Sequence, residues 1–77
     1  MNVTIYTLSS CKWCTKLKEF LTKHNVEFQE KHVAHDLALI EQVYQATGQM
    51  GVPVSRIGED WIVGYDEEKL KTILKLT

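Results

Sequence analysis

The chain has 77 residues, of which 44% are hydrophobic and 25% are charged, and its formal net charge at pH 7 is −1. This length fits one domain, residues 1–77, and the interleaved charges give no indication of a nucleic-acid or anionic-membrane partner. No apolar run approaches the roughly 20 residues of a membrane span. The opening MNVTIYTL lacks the pattern of a signal peptide, so we expect a cytoplasmic protein, acting as a monomer.

The first half of the chain predicts a strand, a helix and a second strand. Residues 3–8 are rich in β-branched and aromatic types, which is typical of a strand. Ser10 can cap the helix that follows, and Asn25 tolerates the conformation that ends one. Residues 26–33 predict the second strand. The residues that recur at helical spacing are Trp13, Leu17, Phe20, Leu21 and His24.

The second half predicts a helix, a hairpin and a last helix. Asp36 can cap a helix that ends at Gly48, residues 52–57 and 60–63 predict two strands, and Asp66 can cap the last helix. The expected apolar faces contain Leu37, Ile40, Val43 and Tyr44 in the first helix and Leu70, Ile73 and Leu74 in the second. The order βαβαββα implies parallel first and second strands, joined by a right-handed crossover, with helices on both faces of one α/β sheet.

Two cysteines lie where the first helix is predicted to begin. Free backbone N–H groups and the helix dipole stabilise negative charge there, so we expect the pKa of the Cys11 thiol to lie below its free value of about 8.5. Lys12 and Lys16 add positive charge nearby. Cys14 follows nearly one turn along the same face, within bridging distance. The pattern favours redox chemistry with Cys11 as exposed nucleophile and Cys14 as resolving thiol.

Metal binding is the alternative interpretation of this pair. Zinc would require two more ligands, and the spacing of His32 and His35 does not fit the usual finger pattern. A copper-carrier module also has Cys-x-x-Cys after its first strand, but the helical periodicity of residues 36–48 does not match its strand order. We expect no bound metal, and a metal-binding module stays the less favoured alternative.

The segment GVPV contains the only proline, Pro53. The sequence is compatible with a trans bond or a cis bond before it. With a cis bond, the backbone N–H and C=O of Val52 would face an extended substrate peptide, which would pair like an added strand.

The segments TIYTLSSCKWC, GVPV and VGYDEEKL resemble those of the glutaredoxins, a branch of the thioredoxin fold. The resemblance implies a four-stranded mixed sheet of order 2-1-3-4 with three helices. It implies a thiol–disulfide oxidoreductase that acts on disulfide-containing proteins, with no bound cofactor and with glutathione as a possible co-substrate. In this interpretation Trp13 flanks the bound disulfide, Pro53 is cis, and the Tyr65 N–H and Asp66 carboxylate receive the γ-glutamyl end of glutathione. The expected substrate-binding residues are Lys12, Trp13, Val52, Pro53, Tyr65 and Asp66.

Departures from the family pattern leave the electron source open. The motif reads Cys-Lys-Trp-Cys rather than Cys-Pro-Tyr-Cys, and Leu8 stands where glutaredoxins usually carry a base that binds a glutathione carboxylate. The redoxins that serve ribonucleotide reductase share the short length and accept electrons from thioredoxin reductase. Glutathione and thioredoxin reductase are therefore both candidates. The weak set of glutathione cations disfavours a third possibility, an iron–sulfur cluster shared by two copies.

Ser55 and Arg56 occupy strand positions that the family usually fills with apolar residues. A buried Arg56 requires a partner, which Glu59 or Asp60 could supply; alternatively, the strand ends early.

Overall fold

The computed structural model describes residues 2–49 and 51–76, and within these ranges it contains four strands and three helices. None of these described helices combines the length and the apolar character needed to cross a bilayer. The elements are β1 (Val3–Thr7), α1 (Lys12–Lys23), β2 (Gln29–His32), α2 (Leu37–Thr47), β3 (Val54–Ile57), β4 (Asp60–Val63) and α3 (Glu67–Leu74). The predicted order is confirmed, and three of the strands are shorter than predicted.

The strands form one mixed sheet in the order β2-β1-β3-β4, as predicted. β1 pairs in parallel with β2 and antiparallel with β3, and β3 pairs antiparallel with β4. The parallel pair is joined through α1, so the carboxyl end of β1 leads directly into that helix. The predicted thioredoxin-like architecture is confirmed.

Two apolar clusters cover the two faces of the sheet. On one face, buried strand residues pack with α1 and α3; this cluster contains Val3, Ile5, Leu17, Phe20, Leu21, Ile57, Ile62 and Leu70. On the other face the buried residues are Tyr6, Val33, Val43 and Val54. The sheet is therefore the middle of three layers, and α1 is fixed to it by the buried side chains of Leu17, Phe20 and Leu21.

The predicted caps of α2 and α3 are confirmed, and the predicted cap of α1 is wrong. Asp36 and Asp66 accept hydrogen bonds from first-turn N–H groups, and Gly48 ends α2 in the left-handed region. In α1 the cap is Cys11 rather than Ser10. The N–H of Cys11 donates to the carbonyl oxygen of Leu8 at 3.3 Å, which closes a turn and delays the start of the helix by one residue.

The predicted buried face of α2 is only partly correct. Val43 is buried and Ile40 packs beside it, but Leu37 is 78% exposed and Tyr44 is 46% exposed. Leu39, four positions before Val43, completes the packed face instead. At about 100° per residue, Leu37 and Tyr44 lie about a quarter-turn away from the centre of that face.

Arg56 is partly exposed and does not pair with Glu59 or Asp60, so that expectation is wrong. Its Nε donates to the carbonyl oxygen of Gly58 at 3.2 Å, and its guanidinium carbon lies 5.3 Å from the centre of the Trp61 ring. Within residues 2–49 and 51–76, no carboxylate oxygen lies within 4.0 Å of it. Stacking on Trp61 therefore replaces the ion pair.

Ser55 is fully buried between Ile5 and Ile62 in the sheet, and its hydroxyl oxygen has no hydrogen-bond partner among the described residues. We expect Ser55→Ala to raise the free energy of unfolding by about 1 kcal/mol, because it removes a desolvated and unpaired hydroxyl. Urea unfolding measures the change. The matched control is Ser10→Ala, an exposed site that caps no helix, with an expected change within about 0.5 kcal/mol. The prediction would be contradicted if Ser55→Ala lowered the free energy of unfolding while Ser10→Ala left it unchanged.

A polar network ties β1, β2 and α1 together beside the first cluster. The Thr7 hydroxyl donates to Oε2 of Glu30 at 2.7 Å, Lys18 Nζ lies 3.1 Å from the same oxygen, and His32 Nε2 lies 3.6 Å from it. The hydrogen bond from Thr7 is the main cause that lowers the pKa of Glu30 below its ordinary 4.5; partial burial opposes it, and Lys18 lowers it further. Folding therefore favours the ionised carboxylate.

This network predicts an acid-dependent loss of stability. Because the pKa of Glu30 is lower in the folded chain, its contribution is present above about pH 4.5 and is lost as the pH falls through the folded value. We expect the free energy of unfolding of Glu30→Gln to fall less than that of the wild type between about pH 6 and about pH 3, by up to about 1 kcal/mol. Urea unfolding at each pH measures this. The control, Glu59→Gln on the exposed hairpin, should keep the wild-type pH dependence; equal slopes for all three proteins would refute the assignment.

Candidate redox site

The cysteine pair lies at the junction between β1 and α1. Cys11 is the N-cap of α1, and Cys14 lies within its first turn. The two form a disulfide, with Cα atoms 5.2 Å apart. Cys11 is partly exposed, whereas Cys14 is only 1% exposed. The predicted contrast in accessibility between the two cysteines is therefore present.

The backbone at the start of α1 is directed at the Cys11 sulfur. The N–H of Cys14 donates to Cys11 Sγ across 3.1 Å, in the position that a hydroxyl or carboxylate oxygen occupies in an ordinary cap. The Cys11 carbonyl accepts the first helical hydrogen bond, from the N–H of Thr15 at 3.3 Å. The sulfur therefore lies at the positive end of the helix dipole, where a thiolate is favoured over a thiol.

A shallow groove of about 260 Å³ runs beside the pair and is lined by Trp13, Val52, Pro53, Gly64 and Tyr65. Four of the six predicted substrate-binding residues thus come together from three separate segments of the chain. The bond between Val52 and Pro53 is cis, as the resemblance implied. Neither backbone group of Val52 has a hydrogen-bond partner among the described residues. Sequence reasoning missed Gly64, whose φ of 79° is a conformation that glycine adopts without strain.

Aromatic rings form one wall of this groove. The rings of Trp13 and Tyr65 stack with centres 6.0 Å apart, and Trp13 is 53% exposed. Lys16 Nζ lies 5.4 Å from the centre of the Trp13 ring. The Tyr65 hydroxyl donates to Oε2 of Glu67 at 2.6 Å; burial, together with this bond, raises the pKa of Tyr65 to about 12. Tyr65 therefore stays protonated, and Trp13 presents its face to solvent.

The other two predicted contact residues lie outside the lining of the groove. Lys12 is exposed in the first turn of α1. Asp66 is half-buried and caps α3, with Oδ1 accepting from the N–H of Lys69 at 3.1 Å. Oδ2 of Asp66 has no hydrogen-bond partner among the described residues, so a cap and a ligand contact are compatible.

In the described part of the chain, the histidines that could have supported a metal site do not form one with the cysteine pair. His32 lies next to Glu30, and within residues 2–49 and 51–76 there is no group of three or more His, Cys, Asp or Glu side chains placed to hold a metal ion.

The polar network of Thr7, Lys18 and Glu30 was missed by sequence reasoning, because its members are far apart in the chain and no local pattern joins them.

A model of the Glutaredoxin family matches residues 3–62 of the chain. The chain belongs to the glutaredoxin family. A glutaredoxin-like 8.6 kDa protein from the rubredoxin operon of Clostridium pasteurianum is 33% identical to it over 95% of this chain and 97% of that protein. The members of this family are thiol–disulfide oxidoreductases, and this one carries a Cys-x-x-Cys pair, Cys11 and Cys14, joined as a disulfide.

Two solved structures extend the comparison. The glutaredoxin from Archaeoglobus fulgidus superposes with a TM-score of 0.88 at 33% identity, covering 96% of this chain and 86% of that one. The glutaredoxin-like NrdH-redoxin from Escherichia coli, described as having a thioredoxin-like activity profile, superposes with a TM-score of 0.82 at 25% identity, covering 100% of this chain and 96% of that one. This chain and the NrdH-redoxin thus share one fold over nearly their full lengths.

Proposed function

We propose that this glutaredoxin is a dithiol enzyme that reduces protein disulfides or glutathione mixed disulfides, with Cys11 as nucleophile and Cys14 as resolving thiol. One observation carries the proposal: Cys11 Sγ caps α1 and accepts the Cys14 N–H at 3.1 Å, and Cys11 is more exposed than Cys14. A sulfur placed in this way is accessible to a substrate and is stabilised as an anion.

The chemistry proceeds in two exchanges. The Cys11 thiolate attacks one sulfur of the substrate disulfide; a new S–S bond forms, the old one breaks, and the leaving thiolate takes a proton from solvent. Cys14, deprotonated, then attacks the Cys11 sulfur, which releases the second substrate thiol and forms the Cys11–Cys14 disulfide. Two electrons pass from the dithiol to the substrate. An external thiol or reductase returns two electrons to restore the dithiol.

The groove is the proposed binding site for the substrate chain beside the reacting sulfur. Val52 offers a backbone N–H and C=O that have no partner among the described residues, which suits an extended peptide. Trp13, with its exposed ring, contacts the substrate disulfide, and Pro53 and Tyr65 close the apolar sides. For glutathione, the Tyr65 N–H, the Asp66 carboxylate and Lys12 are the proposed polar contacts. All of these groups come from one chain, so a monomer suffices, and a reducing compartment such as the cytoplasm maintains the dithiol.

Reduction by thioredoxin reductase is the second candidate for the return of electrons. Leu8, 37% exposed, supplies no positive charge to a glutathione carboxylate near the pair. The similarity to a redoxin with a thioredoxin-like activity profile over the full chain favours the same alternative. The polar contacts at Tyr65 and Asp66 favour glutathione, which we propose as the main electron source.

A comparison of reductants tests the proposal. We expect the protein to support the oxidation of NADPH by glutathione reductase when glutathione and a disulfide substrate are present. Absorbance at the NADPH band measures turnover, and omission of the protein gives the background. If turnover occurred only with NADPH and thioredoxin reductase, thioredoxin reductase would replace glutathione as the proposed electron source. Absence of turnover with both systems would refute the proposed function.

A further inference from the structure

A second depression, which we call the α1–α3 cleft, lies between the two helices on the same side of the sheet. Its volume is about 380 Å³. Phe20 and Tyr65 contribute aromatic surface to it, and Lys16, Lys23 and Lys71 contribute ammonium groups from both helices. The redox chemistry described above uses neither Lys23 nor Lys71.

The lysines of the cleft form no close ion pairs among the described residues. Among the described residues, no carboxylate oxygen lies within 4.0 Å of Nζ of Lys16, Lys23 or Lys71. Glu19 and Glu67 also line the cleft, but one Glu67 oxygen already accepts the Tyr65 hydroxyl at 2.6 Å. The helix α1 contains four lysines and one glutamate, in a chain whose net charge is −1. The lining of the cleft carries three lysines against two glutamates, and so a net positive charge in a slightly acidic protein.

The cleft adjoins the groove beside the cysteines. Tyr65 lines both depressions, and Lys16, which lines the cleft, holds its Nζ 5.4 Å from the Trp13 ring in the groove. A peptide bound with its disulfide at Cys11 can pass Trp13 and Tyr65 and enter the cleft without leaving the surface. Two lysines beyond that point, Lys23 and Lys71, are positioned on opposite walls.

We propose that the α1–α3 cleft binds an acidic segment of the protein whose disulfide is exchanged at Cys11. The inference deepens the proposed function and rests on it. Charge complementarity selects this occupant: three ammonium groups on two helices fit several carboxylates along a peptide, and the aromatic surface accepts its backbone and apolar stems. Each exposed pair contributes modestly, so the gain is in selectivity among disulfide substrates and in association rate.

Disulfide-linked homodimers of a short peptide provide the probe. In one dimer glutamates flank the single cysteine on both sides; in two others glutamine or lysine replaces them. The pre-reduced protein is mixed with each dimer, and the second-order rate constant for release of peptide thiol is divided by that of dithiothreitol, which corrects for the intrinsic reactivity of each disulfide. We expect the wild type to favour the glutamate dimer over the glutamine dimer by about three- to tenfold at low ionic strength, and the preference to shrink with added salt.

Charge reversal locates the preference. Lys23→Glu/Lys71→Glu is expected to lose the preference for glutamate and to favour the lysine dimer. The matched control, Lys31→Glu/Lys69→Glu, makes the same change in net charge at positions that do not line the cleft, and it should keep the wild-type preference. Equal rates of the wild type with the glutamate and glutamine dimers, or equal preferences in the two double variants, would overturn the docking proposal alone. Failure of the wild type to react with any dimer faster than dithiothreitol would overturn the proposed function, and the docking proposal with it.

Discussion

Cys11→Ser is expected to abolish disulfide exchange, lowering the rate by about a thousandfold or more, because a serine hydroxyl is not ionised at neutral pH and cannot replace a thiolate. Cys14→Ser is expected to retain the first exchange and to stop there. In that variant the Cys11 sulfur keeps its place at the start of α1, but no second thiol follows to release the substrate. The mixed disulfide should therefore accumulate.

The two variants are matched, since each replaces one cysteine sulfur by oxygen and the two cysteines are only three positions apart. Each reduced variant is mixed with glutathione disulfide, and mass spectrometry measures the fraction that carries one glutathione. We expect adduct formation with Cys14→Ser and almost none with Cys11→Ser. Comparable adduct formation by both variants would show that the two thiols are equally reactive and would remove the assigned roles.

Leu17→Ala is expected to lower the free energy of unfolding by about 2–5 kcal/mol. Leu17 is fully buried, in the middle of α1, and packs in the cluster shared by the sheet, α1 and α3. Truncation leaves a cavity that a short three-layered fold closes only in part. Total stabilities of small domains are about 5–15 kcal/mol, so this one change removes a large share.

Leu37→Ala is the matched control, because it deletes the same atoms from a helix position that is 78% exposed. Its expected effect is within about 0.5 kcal/mol. Urea unfolding of both variants, with the cysteines reduced throughout, separates the core contribution from that of the disulfide. If both substitutions lowered the free energy of unfolding equally, Leu37 would have to be buried in solution, and the description of α2 would be wrong.

Local signals in the sequence were sufficient for much of this fold. Asp36, Gly48 and Asp66 mark helix ends because each side chain, or the lack of one, satisfies or permits a backbone arrangement within a few residues. The cysteine pair was recognisable in the same way. Convergence of Trp13 with Tyr65 in one groove was anticipated only through resemblance to the glutaredoxins, because no spacing rule joins positions so far apart.

Features that depend on tertiary packing were not predictable from local patterns. The periodicity of α2 admits two neighbouring faces, and the sheet selects the one with Leu39 instead of Leu37. Serine is a more common capping residue than cysteine, but the turn closed by the hydrogen bond from the Cys11 N–H to the Leu8 carbonyl decides where the helix begins. Arg56 was expected to need an acid, yet the ring of Trp61 on the neighbouring strand provides its contact.

The burial of Cys14 in the first turn of α1 also has a consequence for the resistance of the enzyme to peroxide. A sulfenic acid formed on Cys11 would have a thiol within one helical turn, shielded from the oxidant and ready to condense with it by loss of water. Oxidative damage would then stop at a reversible bond before the sulfinic stage, and the same geometry that completes turnover would protect the reactive sulfur from permanent inactivation.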